Sequence, residues 1–209
     1  MNRIGITQRV EVVRHYGERR DCLDQRWSEF ILRLECIPIP LPNIASGMVP
    51  QLIEALQIGA VILSGGNSIA SLDSQAEDAA PERDAFENAL ISAAITRKVP
   101  VVGVCRGMQL LNLYMGGSLQ ERPGHVAVRH TLHACSPLYA LPSEVNSFHK
   151  YGIPQDKLAD DLTPLAVDGD GYIEAFYRDD MPVLGIMWHP EREDPFSNCD
   201  VQLMKRFLA

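Results

Sequence analysis

Short apolar runs alternate with longer amphipathic stretches in the first half of the chain, the pattern of a parallel sheet flanked by helices. Strands are predicted over Arg3 to Thr7, Ile37 to Leu41, Ala60 to Ser64 and Val101 to Cys105. Between them, Leu23 to Leu34 places Leu23, Trp27, Phe30, Ile31 and Leu34 on one stripe at helical spacing. That stripe is a packing face rather than a cofactor pocket. Gly47 to Leu56 predicts a shorter helix. Pro81 to Lys98 opens with Pro81-Glu82, which suits a helix start, and carries Phe86, Leu90, Ala93 and Ala94. The second half changes character, with alternating segments at His125 to Ala134, Ser143 to Phe148, Leu165 to Val167 and Tyr172 to Tyr177. An apolar run from Val183 to Trp188 and a closing helix from Asp200 follow. The expectation is one three-layer α/β/α domain over residues 1–209, with a mostly parallel central sheet and a more antiparallel second half.

Composition narrows the classes without naming one. At 209 residues and 46% hydrophobic content, the chain can bury a substantial single core. No stretch approaches the ~20 apolar residues needed to span a bilayer. The start, Met1 to Arg9, turns polar too early for a signal peptide, so a cytoplasmic location is expected. Cysteines 22, 36, 105, 135 and 199 form no CxxC pair and leave an odd one over. That argues against a disulfide framework and fits a reducing compartment. A net charge of −8 disfavours nucleic-acid and membrane-surface partners, which generally need a basic face.

The chemistry concentrates in three short segments. Val101-Val102-Gly103-Val104-Cys105-Arg106-Gly107-Met108-Gln109 runs an apolar strand directly into Cys105, and helix-compatible residues continue to Met115. Gly103 and Gly107 stand two residues to either side, the glycine spacing of a nucleophile elbow, where small neighbours allow a sharp turn. A thiol at a helix N-terminus is favoured as thiolate by the helix dipole. The competing reading is a buried core cysteine.

The second segment, Met187-Trp188-His189-Pro190-Glu191, follows the last apolar run. If the backbone is extended there, His189 and Glu191 share a side, so Glu191 can orient one imidazole nitrogen while the other faces Cys105. A solvated His-x-Glu turn is the alternative, and Glu193 is a second acid in range. The third segment is Ser64-Gly65-Gly66-Asn67-Ser68, at the end of the strand from Ala60. Its backbone N–H groups, with that of Arg106, could hold an oxyanion. It is not a phosphate-binding P-loop, because no Gly-Lys-Ser/Thr follows; a plain loop glycine pair is the other reading.

These segments, in this order, resemble the class I glutamine amidotransferase superfamily, and the match extends over nearly the whole chain. The resemblance implies Cys105 as nucleophile, His189 as acid/base and Glu191 as its orienting carboxylate. It implies an oxyanion hole from the backbone amides of Gly66 and Arg106. Gln109 would contact the glutamyl amino-acid end, and Asn146, Ser147 and Phe148, within Val145 to His149, would hold that end through the backbone. The reaction implied is cleavage of a γ-glutamyl amide through a glutamyl thioester, releasing glutamate and an amine, with no cofactor. Val-Cys-Arg-Gly-Met-Gln resembles the γ-glutamyl hydrolase branch (peptidase C26). The compact length and the start Gly5-Ile6-Thr7-Gln8-Arg9 are similar to γ-glutamyl-CDP-amidate hydrolases more than to γ-glutamyl-γ-aminobutyrate hydrolases.

Residues 8–26 hold five arginines, Arg9, Arg14, Arg19, Arg20 and Arg26, just after the first strand, where ligands of open α/β sheets bind. Arg9 and Arg19 could grip an anionic leaving group such as a nucleotide phosphoramidate. Glu11, Glu18, Asp21 and Asp24 offset most of that charge, so a solvated loop is the alternative. His125, His130 and His133 have metal-like density, but in a regular strand His130 faces away from the other two and no acid completes a ligand set; no metal is expected. His149 reads as a loop-positioning or surface residue before a second catalytic histidine. The expected partner is a small γ-glutamyl amide, with a homodimer allowed. The competing functions are a glutaminase subunit feeding ammonia to a synthase partner, and a non-catalytic binding domain on the same scaffold.

Overall fold

The computed structural model describes residues 1–208. In chain order the strands and helices are β1 (Arg3–Thr7), β2 (Arg9–Val13), β3 (Glu18–Cys22), α1 (Gln25–Arg33), β4 (Ile37–Leu41), α2 (Val49–Leu56), β5 (Ala60–Leu63), α3 (Pro81–Arg97), β6 (Val101–Val104) and α4 (Arg106–Tyr114). There follow β7 (Gln120–Glu121), β8 (Val126–Thr131), β9 (His133–Ala134), β10 (Glu144–Phe148), β11 (Tyr151–Gly152), β12 (Thr163–Val167), β13 (Ile173–Arg178), β14 (Val183–Ile186) and α5 (Asn198–Leu208). The main sheet has eight strands in the order β4-β1-β5-β6-β14-β13-β12-β9. Its first five strands are parallel neighbours. From β14 onward every pairing is antiparallel. The predicted change of character between the halves is thus a switch of strand direction within one sheet.

Two packed layers cover the sheet, and alternation along each strand assigns side chains to one or the other. Ile62 joins Trp27, Phe30 and Ile31 of α1 and Val201, Met204 and Phe207 of α5 on one face. Val61 and Leu63 join Val49 and Ile53 of α2, Phe86 and Leu90 of α3, and Met108 and Leu111 of α4 on the other. Trp27 and Phe30 meet edge to face at 6.1 Å, so the predicted stripe is core. Each fully buried large side chain contributes roughly 1.5–3 kcal/mol.

Element ends shift where local chemistry dictates. Helix α1 begins at Gln25 because Asp24 caps it, accepting from the Arg26 N–H at 2.9 Å. Helix α3 ends at Arg97 because Lys98 adopts a left-handed conformation. Strands β5 and β6 each stop one residue short of the predicted end, leaving Ser64 to the glycine loop and Cys105 to the elbow. Two departures are larger. Residues 9–22, read as a polar segment, form the antiparallel hairpin β2–β3. The segment predicted as one strand from His125 to Ala134 is split: β8 pairs with β10 as a separate ribbon, while β9 joins the main sheet beside β12. No helix among the described residues is long and apolar enough to cross a membrane.

Candidate active site

The carboxyl ends of β1, β5, β6 and β14 converge, as ligand sites of open α/β sheets do. Strand β6 delivers Cys105 and α4 begins at the next residue. Cys105 takes φ 51° and ψ −107°, a left-side conformation that costs about 1–3 kcal/mol for a residue with a side chain. The flanking glycines are sterically required. A Cβ at Gly103 would sit 2.6 Å from the Gly107 carbonyl, and one at Gly107 would overlap the Leu63 carbonyl oxygen. The Arg106 N–H opens α4 and therefore lacks an intrahelical acceptor, while the helix dipole favours negative charge on the thiol and on any oxyanion beside it.

Strand β14 delivers His189 from the other side. Its Nδ1 is 2.7 Å from Glu191 Oε1, so the Nδ1–H donates to the carboxylate and Nε2 is turned to Cys105. A Cβ at Gly65 would meet His189 Cε1 at 2.7 Å and Cys105 Cβ at 3.6 Å, which places both side chains against the glycine loop. Burial opposes charge on His189, but the adjacent Cys105 sulfur and the Glu191 carboxylate outweigh it and raise the pKa to about 9. His189 is therefore protonated at neutral pH. The backbone of His189 is fixed by Asn146, whose Oδ1 accepts from the His189 N–H at 2.9 Å and whose Nδ2 donates to the His189 carbonyl at 2.8 Å. Glu193 accepts from Asn146 at 2.7 Å and from Arg129 at 2.9 Å, so it supports the clamp rather than the imidazole.

The remaining predicted residues surround this centre. Gly66 has φ +82° and lies against the aliphatic stem of Arg9. Gln109 is buried, with its amide NH2 committed to the Tyr151 carbonyl at 2.9 Å. The Ser147 hydroxyl donates to the His125 carbonyl at 2.8 Å. Phe148 stands edge-on to the His189 ring at 5.7 Å, with the Arg192 guanidinium stacked over its face at 4.3 Å. A cavity of about 360 Å³ opens over His189 and Glu191 and is lined also by Gly65, Gly66, Arg9 and Arg192. Arg9 and Glu11 also line a second hollow of about 670 Å³, which Arg14 and Arg19 border. Arg19 itself is exposed and paired with Glu82, outside the catalytic pocket.

Sequence reasoning missed the frame beneath the glycine loop. Arg83 is fully buried and donates to the Ser64 carbonyl at 2.7 Å and the Gly65 carbonyl at 3.1 Å. It also pairs with Glu87 at 2.9 Å, while the Arg106 side chain binds both Glu87 and Asp84. Burial opposes charge on Glu87, yet Arg106 and Arg83 together hold its pKa below the usual carboxylate value. The signal was available: Arg83 and Glu87 stand four apart on the stripe that carries Leu90 and Ala94. Asn67 adds a second strut, exchanging hydrogen bonds with both backbone groups of Val10 at 2.8 and 2.9 Å and so fixing the hairpin over the loop.

The histidine reading needs correction. His125 and His130 do not diverge; their rings are 5.2 Å apart, and His149 lies 5.1 Å from His125. His125 precedes β8, Ala127 takes a positive φ of 57°, and the β8–β10 register shifts at Ser147/Phe148, so strict strand alternation does not apply. His133 is exposed and plays no part. His149 is buried rather than superficial and faces Glu174, an acid the sequence reading did not bring to this place. Burial and the neighbouring His125 push the His149 pKa down to about 4, and burial beside Asp168 and Cys105 raises that of Glu174 well above the usual range.

This arrangement suits nucleophilic attack on a carbonyl. A family model described as Peptidase C26 matches residues 3–191. The chain belongs to the peptidase C26 family. It is 31% identical over 210 residues to the gamma-glutamyl-CDP-amidate hydrolase of Campylobacter jejuni, covering 99% of this chain and 97% of that one. It is 29% identical over 213 residues to a gamma-glutamyl-gamma-aminobutyrate hydrolase of Escherichia coli, covering 84% and 80% of the two chains. The crystal structure of a glutamine amidotransferase from Thermotoga maritima matches with a TM-score of 0.66 over 99% of this chain and 84% of its own, at 16% identity, a likeness of fold. This peptidase C26 member is accordingly a hydrolase acting on amide bonds, of the γ-glutamyl hydrolase kind.

Proposed function

We propose that Cys105 attacks the γ-carbonyl of a γ-glutamyl amide and forms a glutamyl thioester, which water then hydrolyses. The observation that carries this reading is Cys105 on a strained turn at a helix N-terminus, facing an imidazole that Glu191 holds at 2.7 Å. The thiolate adds to the carbonyl carbon, and the N–H groups of Gly66 and Arg106 receive the oxyanion. The imidazolium of His189 protonates the leaving nitrogen as the C–N bond breaks, giving the free amine and the thioester. His189, now neutral, takes a proton from water, whose oxygen attacks the thioester. Glutamate leaves, and the thiolate–imidazolium pair is restored. Gln109 and the backbone of Asn146 to Phe148 hold the glutamyl amino-acid end.

The amine side is anionic in this reading, a nucleotide phosphoramidate such as CDP-amidate. Arg9 lies against Gly66 in the catalytic cavity, and Arg192 lines the same wall. The similarity to the Campylobacter jejuni enzyme extends over nearly both chains and supports the same substrate class. The purified chain, assayed against γ-glutamyl amides with neutral, carboxylate and phosphate-bearing amines and glutamine itself, tests this. Preferred turnover of a phosphate-bearing amide, abolished in Cys105→Ala, is expected. Turnover unaffected by Cys105→Ala would overturn the mechanism. A neutral amide turned over equally well would overturn the anionic leaving group.

A further inference from the structure

We propose that His125, His130, His149 and Glu174 form a site for a divalent transition-metal ion of the zinc type, beside the catalytic pocket and independent of the reaction assigned to it. The four come from three parts of the chain: His125 just before β8 and His130 within it, His149 just after β10, and Glu174 in β13. One donor atom from each lies within 4.8 Å of all the others. His130 Nε2 is 3.6 Å from Glu174 Oε2, and His149 Nε2 is 3.7 Å from Glu174 Oε1.

Hydrogen-bond accounting distinguishes this cluster from ordinary packed histidines. His149 Nδ1 lies 2.9 Å from the Tyr151 carbonyl, and His130 Nδ1 lies 3.1 Å from the Thr131 carbonyl. Each must therefore donate its Nδ1–H, which leaves Nε2 as a bare lone pair. His125 Nε2 lies 3.9 Å from Asp168, beyond hydrogen-bond reach, and its Nδ1 has no partner. Those three nitrogens and Glu174 Oε2 are buried and lack a hydrogen-bond partner. Leaving a buried polar atom without a partner is destabilising, and four such atoms converge here. One proton on Glu174 satisfies a single nitrogen and leaves the others open. A cation satisfies all four at once. Ligating histidines characteristically donate their second nitrogen to a carbonyl or carboxylate, the arrangement found on His130 and His149.

The donor set selects the ion. Three imidazole nitrogens and one carboxylate oxygen suit zinc and its neighbours; magnesium and calcium require oxygen shells. Tetrahedral zinc with bonds of ~2.0–2.1 Å sets its ligands about 3.3 Å apart. The two contacts to Glu174 need to contract by only a few tenths of an ångström, and the wider pairs by more. Bound there, the ion ties the β8–β10 ribbon to β13 of the main sheet. That ribbon carries Asn146, which clamps His189, and Ser147, which holds His125, so occupancy would brace the catalytic histidine from behind.

Metal-stripped full-length protein carrying Cys105→Ala, which removes the catalytic thiol as a competing ligand, is titrated with zinc and with cobalt(II). The expected result is one tightly bound equivalent, an intense visible cobalt spectrum of tetrahedral type, and a rise in Tm with zinc. Adding Glu174→Gln should weaken binding by at least ~100-fold, since even second-shell losses cost 10–100-fold. His130→Gln, at a half-buried position, should do the same if Glu174→Gln does not fold. Zinc binding unchanged by both additions, no stoichiometric binding, or a weak octahedral cobalt spectrum would overturn the site.

Discussion

At Cys105 the backbone conformation, the helix terminus and the neighbouring imidazole all act on one sulfur atom, and the imidazole is the part most open to test. His189→Ala should lose at least ~10³-fold in kcat, by analogy with removal of a triad member, measured under single-turnover conditions. Because the pKa of His189 is raised to about 9, its proton is available for the leaving amine across neutral pH. The rate profile should therefore keep its plateau through pH 8 and fall on the alkaline side near 9. The sign for stability is the same. The contribution is fully present below the ordinary histidine value of about 6.5 and is lost as pH rises through about 9. An alkaline limb near 6.5 on a non-titrating substrate would contradict the raised His189 value. The elbow and His189-x-Glu191 were legible because each is a local pattern. The clamp of Asn146 on His189 was not, since it joins residues 43 apart and involves a side chain that the resemblance used only through its backbone.

At the scale of elements, the loop after β5 owes its shape to α3. Replacing Arg83 by Met leaves the Ser64 and Gly65 carbonyls without their donor and removes one cation from Glu87. That change should cost about 3–5 kcal/mol in denaturant unfolding and depress kcat in whatever remains folded. Wild-type stability in Arg83→Met would mean the network is incidental. Helix α5 gives a test of opposite sign. Asp200 is buried, and burial raises its pKa to about 6 although the Trp188 indole donates to it at 3.0 Å. A raised carboxyl favours the protonated folded form, so stability falls as pH climbs from about 4 through 6. Asp200→Asn keeps an acceptor for Trp188 and should stabilise at pH 7.5 by roughly 1–2 kcal/mol, the difference vanishing below pH 4. Strands and helices of the parallel half were readable because burial on both faces leaves continuous apolar runs. The hairpin β2–β3 was not, because Glu18 to Asp21 are exposed and carry none of the apolar alternation that marks a half-buried strand.

For the whole molecule, the question is why a chain of net charge −8 gathers arginines at one mouth. Arg9, Arg14 and Arg19 pair with Glu11, Glu77 and Glu82, all substantially exposed, and exposed pairs yield readily to a better anion. Arg9→Met, which keeps the stem against Gly66 but removes the donors, should raise KM for a phosphate-bearing γ-glutamyl amide and leave glutamine turnover nearly unchanged. The preference for the anionic substrate should also shrink as salt rises. Equal losses on both substrates would make Arg9 a scaffold residue. The main sheet, its change of strand direction and the place of the three candidate segments could all be anticipated, since topology follows from the order of apolar runs. The Arg83 network and the histidine cluster could not, because each depends on side chains that only the folded sheet brings together. Intact mass followed by peptide mapping, after exposure to a glutamine-derived diazo-ketone, tests most directly whether Cys105 is the nucleophile that forms a covalent γ-glutamyl enzyme. One adduct, on Cys105 and absent from Cys105→Ala, is the expected result; no adduct, or one on Cys22, Cys36, Cys135 or Cys199 with Cys105 unmodified, would contradict it.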